Sequence, residues 1–276
     1  MTDPSGPDPA PSHWQGGTRP RRPLGLGGAL LLLALWIGAT AVGFLPDQPG
    51  RVMAPLPQVL ATGLLFAGIG LFRWSDVALG TPVQGTMRLM WLPWLYLLLF
   101  ATGIVAQGGL TPDELFGLTA IMIWIAISEE VMFRGLLYPA LRRRMGPWAA
   151  IWLTSLAFGA VHLGNGLRHG DYEMALAQSL AAVSTGLLLL ALRLRRGSIW
   201  PAVVYHALWD IGSFGMDLAG DEQPLVSDFL HGPDLWLRIA VTLAFVAPNG
   251  LYALWLLRKV GHQTLPGDVP GPERAG

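Results

Sequence analysis

Eight apolar stretches, set apart by clear turn signals, govern what this chain can fold into. They run roughly Leu24–Leu45, Pro55–Phe72, Leu89–Ala106, Leu115–Leu141, Trp148–Leu163, Met174–Leu192, Ile199–Phe214 and Leu235–Leu257. Most have the ~17–25 residues that a helix needs to cross a hydrocarbon core of ~30 Å. The fifth and seventh are short and carry polar residues, as a helix does when it faces protein rather than lipid. Pro46-Asp47-Gln48-Pro49-Gly50, Gly108-Gly109, Gly146-Pro147 and Gly197 punctuate the series. Backbone groups cannot stay unpaired in lipid, and no alternating strand pattern of about ten residues is visible, so the stretches predict helices and not a barrel. The expected fold is all-α: a polytopic transmembrane helical bundle of about eight spans, forming one domain over residues 24–258. Met1–Pro20 and Gly261–Gly276 are rich in Pro, Gly and polar residues, which predicts disordered arms over 1–23 and 259–276.

Composition agrees. Charged residues make up 13% of the chain and hydrophobic ones 52%, with a mean hydropathy of +0.46, outside the balance of a soluble domain. The formal net charge is zero, so no global field argues for nucleic acid as a partner. Cysteine is absent, which removes disulfides, thiolate zinc sites and a cysteine nucleophile.

The basic residues give an orientation. With a cytoplasmic N-terminus, the inner segments hold Arg19, Arg21, Arg22, Arg73, Arg88, Arg142, Arg143, Arg144, Arg193, Arg195, Arg196, Arg258, Lys259 and Arg274, fourteen of the eighteen basic residues. Only Arg51, Arg168 and Arg238 fall outside, where Asp113, Glu114, Asp171, Glu173, Asp221, Glu222, Asp228 and Asp234 gather. The positive-inside rule thus predicts an integral, multi-pass protein with both termini cytoplasmic. A cleaved signal peptide ending near Ala39-Thr40-Ala41 is the competing reading, but the run from Leu24 to Leu45 exceeds the usual h-region of about 7–15 residues.

Inside the fourth stretch lie Glu129, Glu130 and Arg134. Charges at bilayer depth cost about 2.5 kcal/mol each or more, so they point to function by default. Glu130 and Arg134 are four positions apart and share a helix face, where pairing offsets the cost of burying either alone. Glu129 is turned about 100° away and lacks that local partner. It is the candidate general base; the competing reading puts all three in one structural ion network. In the fifth stretch, Phe158 lies one turn from His162, with Gly159 and Ala160 leaving room for a neighbouring helix. In the seventh, His206 and Asp210 share a face, so that the carboxylate can fix the imidazole tautomer. Counted at about 1.5 Å per residue from the inner loops, Glu129, His162 and His206 reach a similar depth of ~15–22 Å, which allows one site. His13, His169, His231 and His262 fall in arms and polar loops, where solvated roles are expected. The run Arg142-Arg143-Arg144 suits anionic lipid but is already explained by topology.

Glu129-Glu130…Arg134, Phe158…His162 and His206…Asp210 resemble, in order, the three motifs of the CPBP intramembrane protease family, which includes CAAX prenyl proteases and bacterial Abi proteins. The resemblance spans about Leu115–Phe214. It implies an intramembrane endopeptidase, set in a bacterial plasma membrane, that cleaves a membrane-associated or lipid-modified peptide substrate within membrane lipid. It also implies that Glu129 and His162 activate water, His206 and Asp210 stabilise the oxyanion, and Glu130 and Arg134 support the site. Where the prenyl-protease branch has Asn, this chain has Asp210, which cannot donate a hydrogen bond when ionised. The family has also been called metalloproteases, and Glu129, His162 and His206 are a plausible zinc set. Against that stands the lack of a His-Glu-xx-His motif, and a base cannot also be a ligand, so metal-free water activation is the expectation. Two other readings are a non-catalytic membrane scaffold or bacteriocin-immunity protein of the same family, and a proton-coupled transporter, for which no internal repeat is apparent. Nothing in the sequence fixes an oligomeric state.

Overall fold

A computed structural model describes residues 22–41, 56–219 and 235–271, without the side chains of Arg168 and His169. The expected arm over Met1–Pro20 therefore lies outside the described residues. The elements are helices throughout: α1 (Leu26–Ala41), α2 (Leu56–Phe72), α3 (Thr86–Leu89), α4 (Trp91–Ala106), α5 (Pro112–Glu130), a π-helical segment (Val131–Leu137), α6 (Tyr138–Arg142), α7 (Pro147–His162), α8 (Asn165–His169), α9 (Tyr172–Arg196), α10 (Trp200–Ala219) and α11 (Leu235–Leu257).

Among the described residues, four helical stretches are long and apolar enough to cross a membrane: Pro112–Arg142, Pro147–Leu167, Tyr172–Arg196 and Leu235–Leu257. Leu26–Ala41, Leu56–Phe72 and Trp91–Ala106 are apolar but shorter. α10 has 20 residues, and its His206, Asp210 and Asp217 make it too polar to join the four. Each expected stretch coincides with a helix, and four of these helices meet the length and apolarity of a span among the described residues.

Caps explain where hydropathy misplaced the ends. α5 begins at Pro112, not Leu115, because Thr111 and Glu114 form a reciprocal capping box, Thr111 N–H donating to Glu114 Oε2 at 2.8 Å. α9 begins under Asp171, whose carboxylate accepts the Met174 N–H at 2.8 Å, and ends at Gly197, which takes φ +67°. Its last turn runs past Leu192 through Arg193–Arg196, where Arg193 donates to the carbonyls of Asp76 and Gly267 and Arg196 to that of Gln84.

α5 with its π and α6 continuation, α7, α9 and α10 form the centre; α1 and α2 pack on the π-helical segment, α4 on α10 and α11 on α9. Lipid gives helices little hydrophobic reason to associate, so close packing must do it. A Cβ on Gly159 would stand 2.5 Å from Val183 Cγ2 and 2.7 Å from the Ser179 carbonyl, which places α7 against α9. Ala160, expected to share that role, is exposed. Large apolar side chains face outward, among them Leu71, Val105 and Phe116, each more than 70% exposed. That is a lipid-facing surface and not one for water.

At the arginine-rich end, two irregular segments close the bundle. In residues 73–85, carbonyls are stapled to the α9–α10 junction: Asp76 accepts from Arg193 Nη2 at 3.0 Å, Leu79 from Trp200 Nε1 at 2.9 Å and Gly80 from Ser198 Oγ at 2.6 Å. Residues 259–271, expected as part of a loose arm, fold back instead. Leu265 and Val269 are buried, Gly267 N–H donates to the Leu194 carbonyl at 2.9 Å, and Asp268 accepts from Arg142 Nε at 3.1 Å and from the Tyr138 hydroxyl at 3.3 Å. The polar composition hid this because Asp268 and the carbonyl of Gly267 meet charges on helices distant in sequence, Arg142 and the buried Arg193.

Candidate active site

The site begins where α5 loses its regular turn. Glu130 is its last residue, and the following seven residues wind as a π-helical segment, every one of them buried. Such wide turns are rare and gather at functional sites. Arg134 Nη1 donates to Glu130 Oε1 at 2.8 Å, with both side chains fully buried. Its Nη2 donates to the Gly186 carbonyl at 3.2 Å, and its guanidinium lies 4.0 Å from the centre of the Phe158 ring. Pairing, a second acceptor and a π face together offset the desolvation of a buried cation. The expected Glu130–Arg134 pair is therefore present.

Glu130 Oε1 has a second partner, His206 Nδ1 at 2.9 Å. A carboxylate only accepts, so Nδ1 carries the proton. His206 Nε2 turns towards two other acids, Asp210 Oδ2 at 3.4 Å and Glu129 Oε2 at 3.7 Å. The sequence assigned tautomer control to Asp210. In the structure Glu130, from another helix, holds Nδ1, and Asp210 stands at the opposite nitrogen.

His162 ends α7, its Nδ1 donating to the Phe158 carbonyl at 2.8 Å, the only role open to a nitrogen facing a carbonyl; Nε2 is left for other work. The Phe158 ring lies 4.8 Å from the His162 ring, 5.8 Å from that of His206 and 5.2 Å from that of Phe133. One aromatic side chain thus touches both histidines and the arginine.

Accessibility separates the acids. Glu130 is fully buried, whereas Glu129 and Asp210 are 15% and 18% exposed. Glu129 Oε2 receives no hydrogen bond among the described groups. All seven residues singled out in the sequence, Glu129, Glu130, Arg134, Phe158, His162, His206 and Asp210, meet in one place. A partly accessible, weakly bonded carboxylate beside two aimed imidazoles can take a proton from water, and an imidazole between carboxylates can donate to a developing anion.

Among the described residues, no three His, Asp or Glu side chains are spaced to hold a metal ion. Sequence reasoning also missed Gly186 and the π-helical segment. The small-residue run Ser184-Thr185-Gly186 was a signal for close helix contact; for the π turn there was none beyond the buried charges themselves.

Residues 111–212 match the family model described as Type II CAAX prenyl endopeptidase Rce1-like. The matched segment runs from the Thr111 cap into the middle of α10 and holds all seven site residues, so the resemblance to the CAAX-type protease family holds on independent ground. Comparison with curated proteins and with solved structures gives no match.

Proposed function

We propose that this integral membrane protein is an intramembrane endopeptidase that hydrolyses a peptide bond of a membrane-associated or lipid-modified substrate. It crosses the bilayer about eight times with both termini cytoplasmic, in keeping with the charge asymmetry of its loops. What carries the reading is the meeting of Glu129 from α5, Phe158 and His162 from α7, and His206 and Asp210 from α10 at one partly open place among buried helices.

Glu129 takes a proton from a water that His162 Nε2 orients, and the resulting hydroxide attacks the scissile carbonyl carbon. Doubly protonated His206 donates from Nδ1 to Glu130 and from Nε2 to the tetrahedral oxyanion, with Glu130 and Asp210 supplying counter-charge on either side. On collapse the C–N bond breaks, Glu129 returns its proton to the leaving amine, and the new carboxylate departs. Asp210 acts through His206, since an ionised carboxylate cannot itself donate. Arg134 holds Glu130 in place from behind. A general base of this kind contributes about 10²–10⁴ in rate, and an oxyanion donor about 10²–10³.

The test is proteolysis of a library of plain and lipid-modified peptides in liposomes by wild type, Glu129→Ala, His162→Ala and His206→Ala. Turnover by wild type that falls at least roughly a hundredfold in each variant is the expected result. Equal turnover by all four overturns the reading. Water activation here is metal-free, so metal analysis of the active protein finds no stoichiometric ion and chelation leaves the rate unchanged.

A further inference from the structure

We infer that Gly186, in the middle of α9, is a positioning residue of this site: its carbonyl and its missing side chain together fix Arg134, and through Arg134 the contact between Glu130 and His206. The inference rests on the hydrolytic reading of the site for its consequence in rate, though not for its geometry.

Gly186 lies in regular helix with no left-handed φ, so its backbone demands no glycine. A mid-helix glycine costs about 0.5–1 kcal/mol relative to alanine. Space accounts for it: an added Cβ would stand 3.1 Å from Phe158 Cδ1, 3.3 Å from Arg134 Nη2 and 3.6 Å from Ser155 Cα. Neither neighbour can yield freely. Phe158 is 2% exposed, wedged against Phe133, His162 and His206. Arg134 is held on three sides, by Glu130, by the Phe158 ring and by the Gly186 carbonyl.

From Gly186 a short relay leads to the reacting groups. The carbonyl takes Nη2 of Arg134, Nη1 takes Glu130 Oε1, and that same oxygen takes His206 Nδ1. A guanidinium is planar, so fixing one nitrogen aims the other. The aim of Glu130 Oε1 decides whether His206 Nδ1 keeps its acceptor, with Glu129 and Asp210 left facing Nε2 and His162 reaching His206 only across the Phe158 ring. Displacing Arg134 by a few tenths of an ångström therefore loosens His206 without touching it.

The experiment compares full-length wild type, Gly186→Ala and Gly215→Ala in liposomes. Gly215 is an equally tight control on α10, where a Cβ would meet Ile104 Cδ1 at 3.0 Å and Leu110 Cδ1 at 3.2 Å, away from the relay. Nitrogen-15 NMR of the histidines reports the Nδ1 environment of His206, and peptide hydrolysis gives kcat and KM. Gly186→Ala is expected to shift the His206 Nδ1 resonance and to lower kcat roughly tenfold to a hundredfold with KM within about twofold, as a misaimed catalytic group does. Gly215→Ala keeps the wild-type resonance and kcat. A wild-type His206 spectrum in Gly186→Ala, or the same spectral shift in Gly215→Ala, overturns the inference. If Gly186→Ala does not fold, Arg134→Lys, whose ammonium lacks the planar fork, must shift the same resonance; an unshifted spectrum there overturns it as well. Absence of hydrolysis by wild type would sink the protease reading while leaving the spectral arm to decide the positioning role.

Discussion

Glu129 and Glu130 are neighbours in sequence yet carry opposite burdens. Glu130 is fully buried and its Oε1 serves both Arg134 and His206, while Glu129 is partly accessible and its Oε2 accepts no hydrogen bond among the described groups. Substituting each in turn separates fold from chemistry. Glu130→Ala leaves a buried guanidinium unpaired and is expected to cost about 3–5 kcal/mol of stability, seen as a lower Tm in detergent. Glu129→Gln leaves the Glu130–Arg134 pair and the Glu130–His206 contact intact, so it is expected to lower Tm less than Glu130→Ala does while abolishing hydrolysis. Asp210→Asn supplies a neutral amide that can donate towards His206 or substrate and is expected to retain turnover within about tenfold, whereas Asp210→Ala loses more. The four-residue spacings made three helix faces legible: Glu130 with Arg134, Phe158 with His162, His206 with Asp210. Which acid meets which imidazole was not legible, because the Glu130–His206 contact joins positions 76 apart and depends on how α5 and α10 pack.

At the scale of the element, the π-helical segment sets the site's register. It turns Arg134 back onto Glu130 while bringing Gly135 under residues 73–85, where a Cβ would stand 2.9 Å from Val77 Cγ1 and 3.3 Å from the Val77 carbonyl. Gly135→Ala is expected to destabilise the protein by about 1–3 kcal/mol through overpacking, measured by thermal unfolding. Hydropathy read the run Leu115–Leu141 as one helix, and it is one rod; the change of winding leaves no trace in periodicity, since all seven π residues are buried whichever way they turn. α11 shows a related limit. Pro248 lies inside the helix, and hydroxyls from two other helices reach the carbonyls just before it, Tyr96 to Phe245 and Ser184 to Val246. The proline was visible in the sequence, while the neighbours that make it tolerable were not.

For the whole molecule, the sidedness of the loops is open to direct measurement, because the chain has no cysteine of its own. Single cysteines at Ser75 and at Gly109 are expected to react with an impermeant thiol reagent from opposite faces of intact cells, Gly109 from outside. Equal labelling of both from outside contradicts the orientation. Eight helices could be read from eight apolar runs, but the folded-back segment at residues 259–271 could not, since its contacts with Arg142, Tyr138 and Arg193 are all distant in sequence. That segment also imposes a timetable. Arg193 and its acceptor on Gly267 are 74 positions apart, so the ribosome has made α10 and α11 before the guanidinium can find that partner. During synthesis the arginine-rich end of the bundle therefore stays unsealed long after α5 has been made, until residues 259–271 follow and lock it.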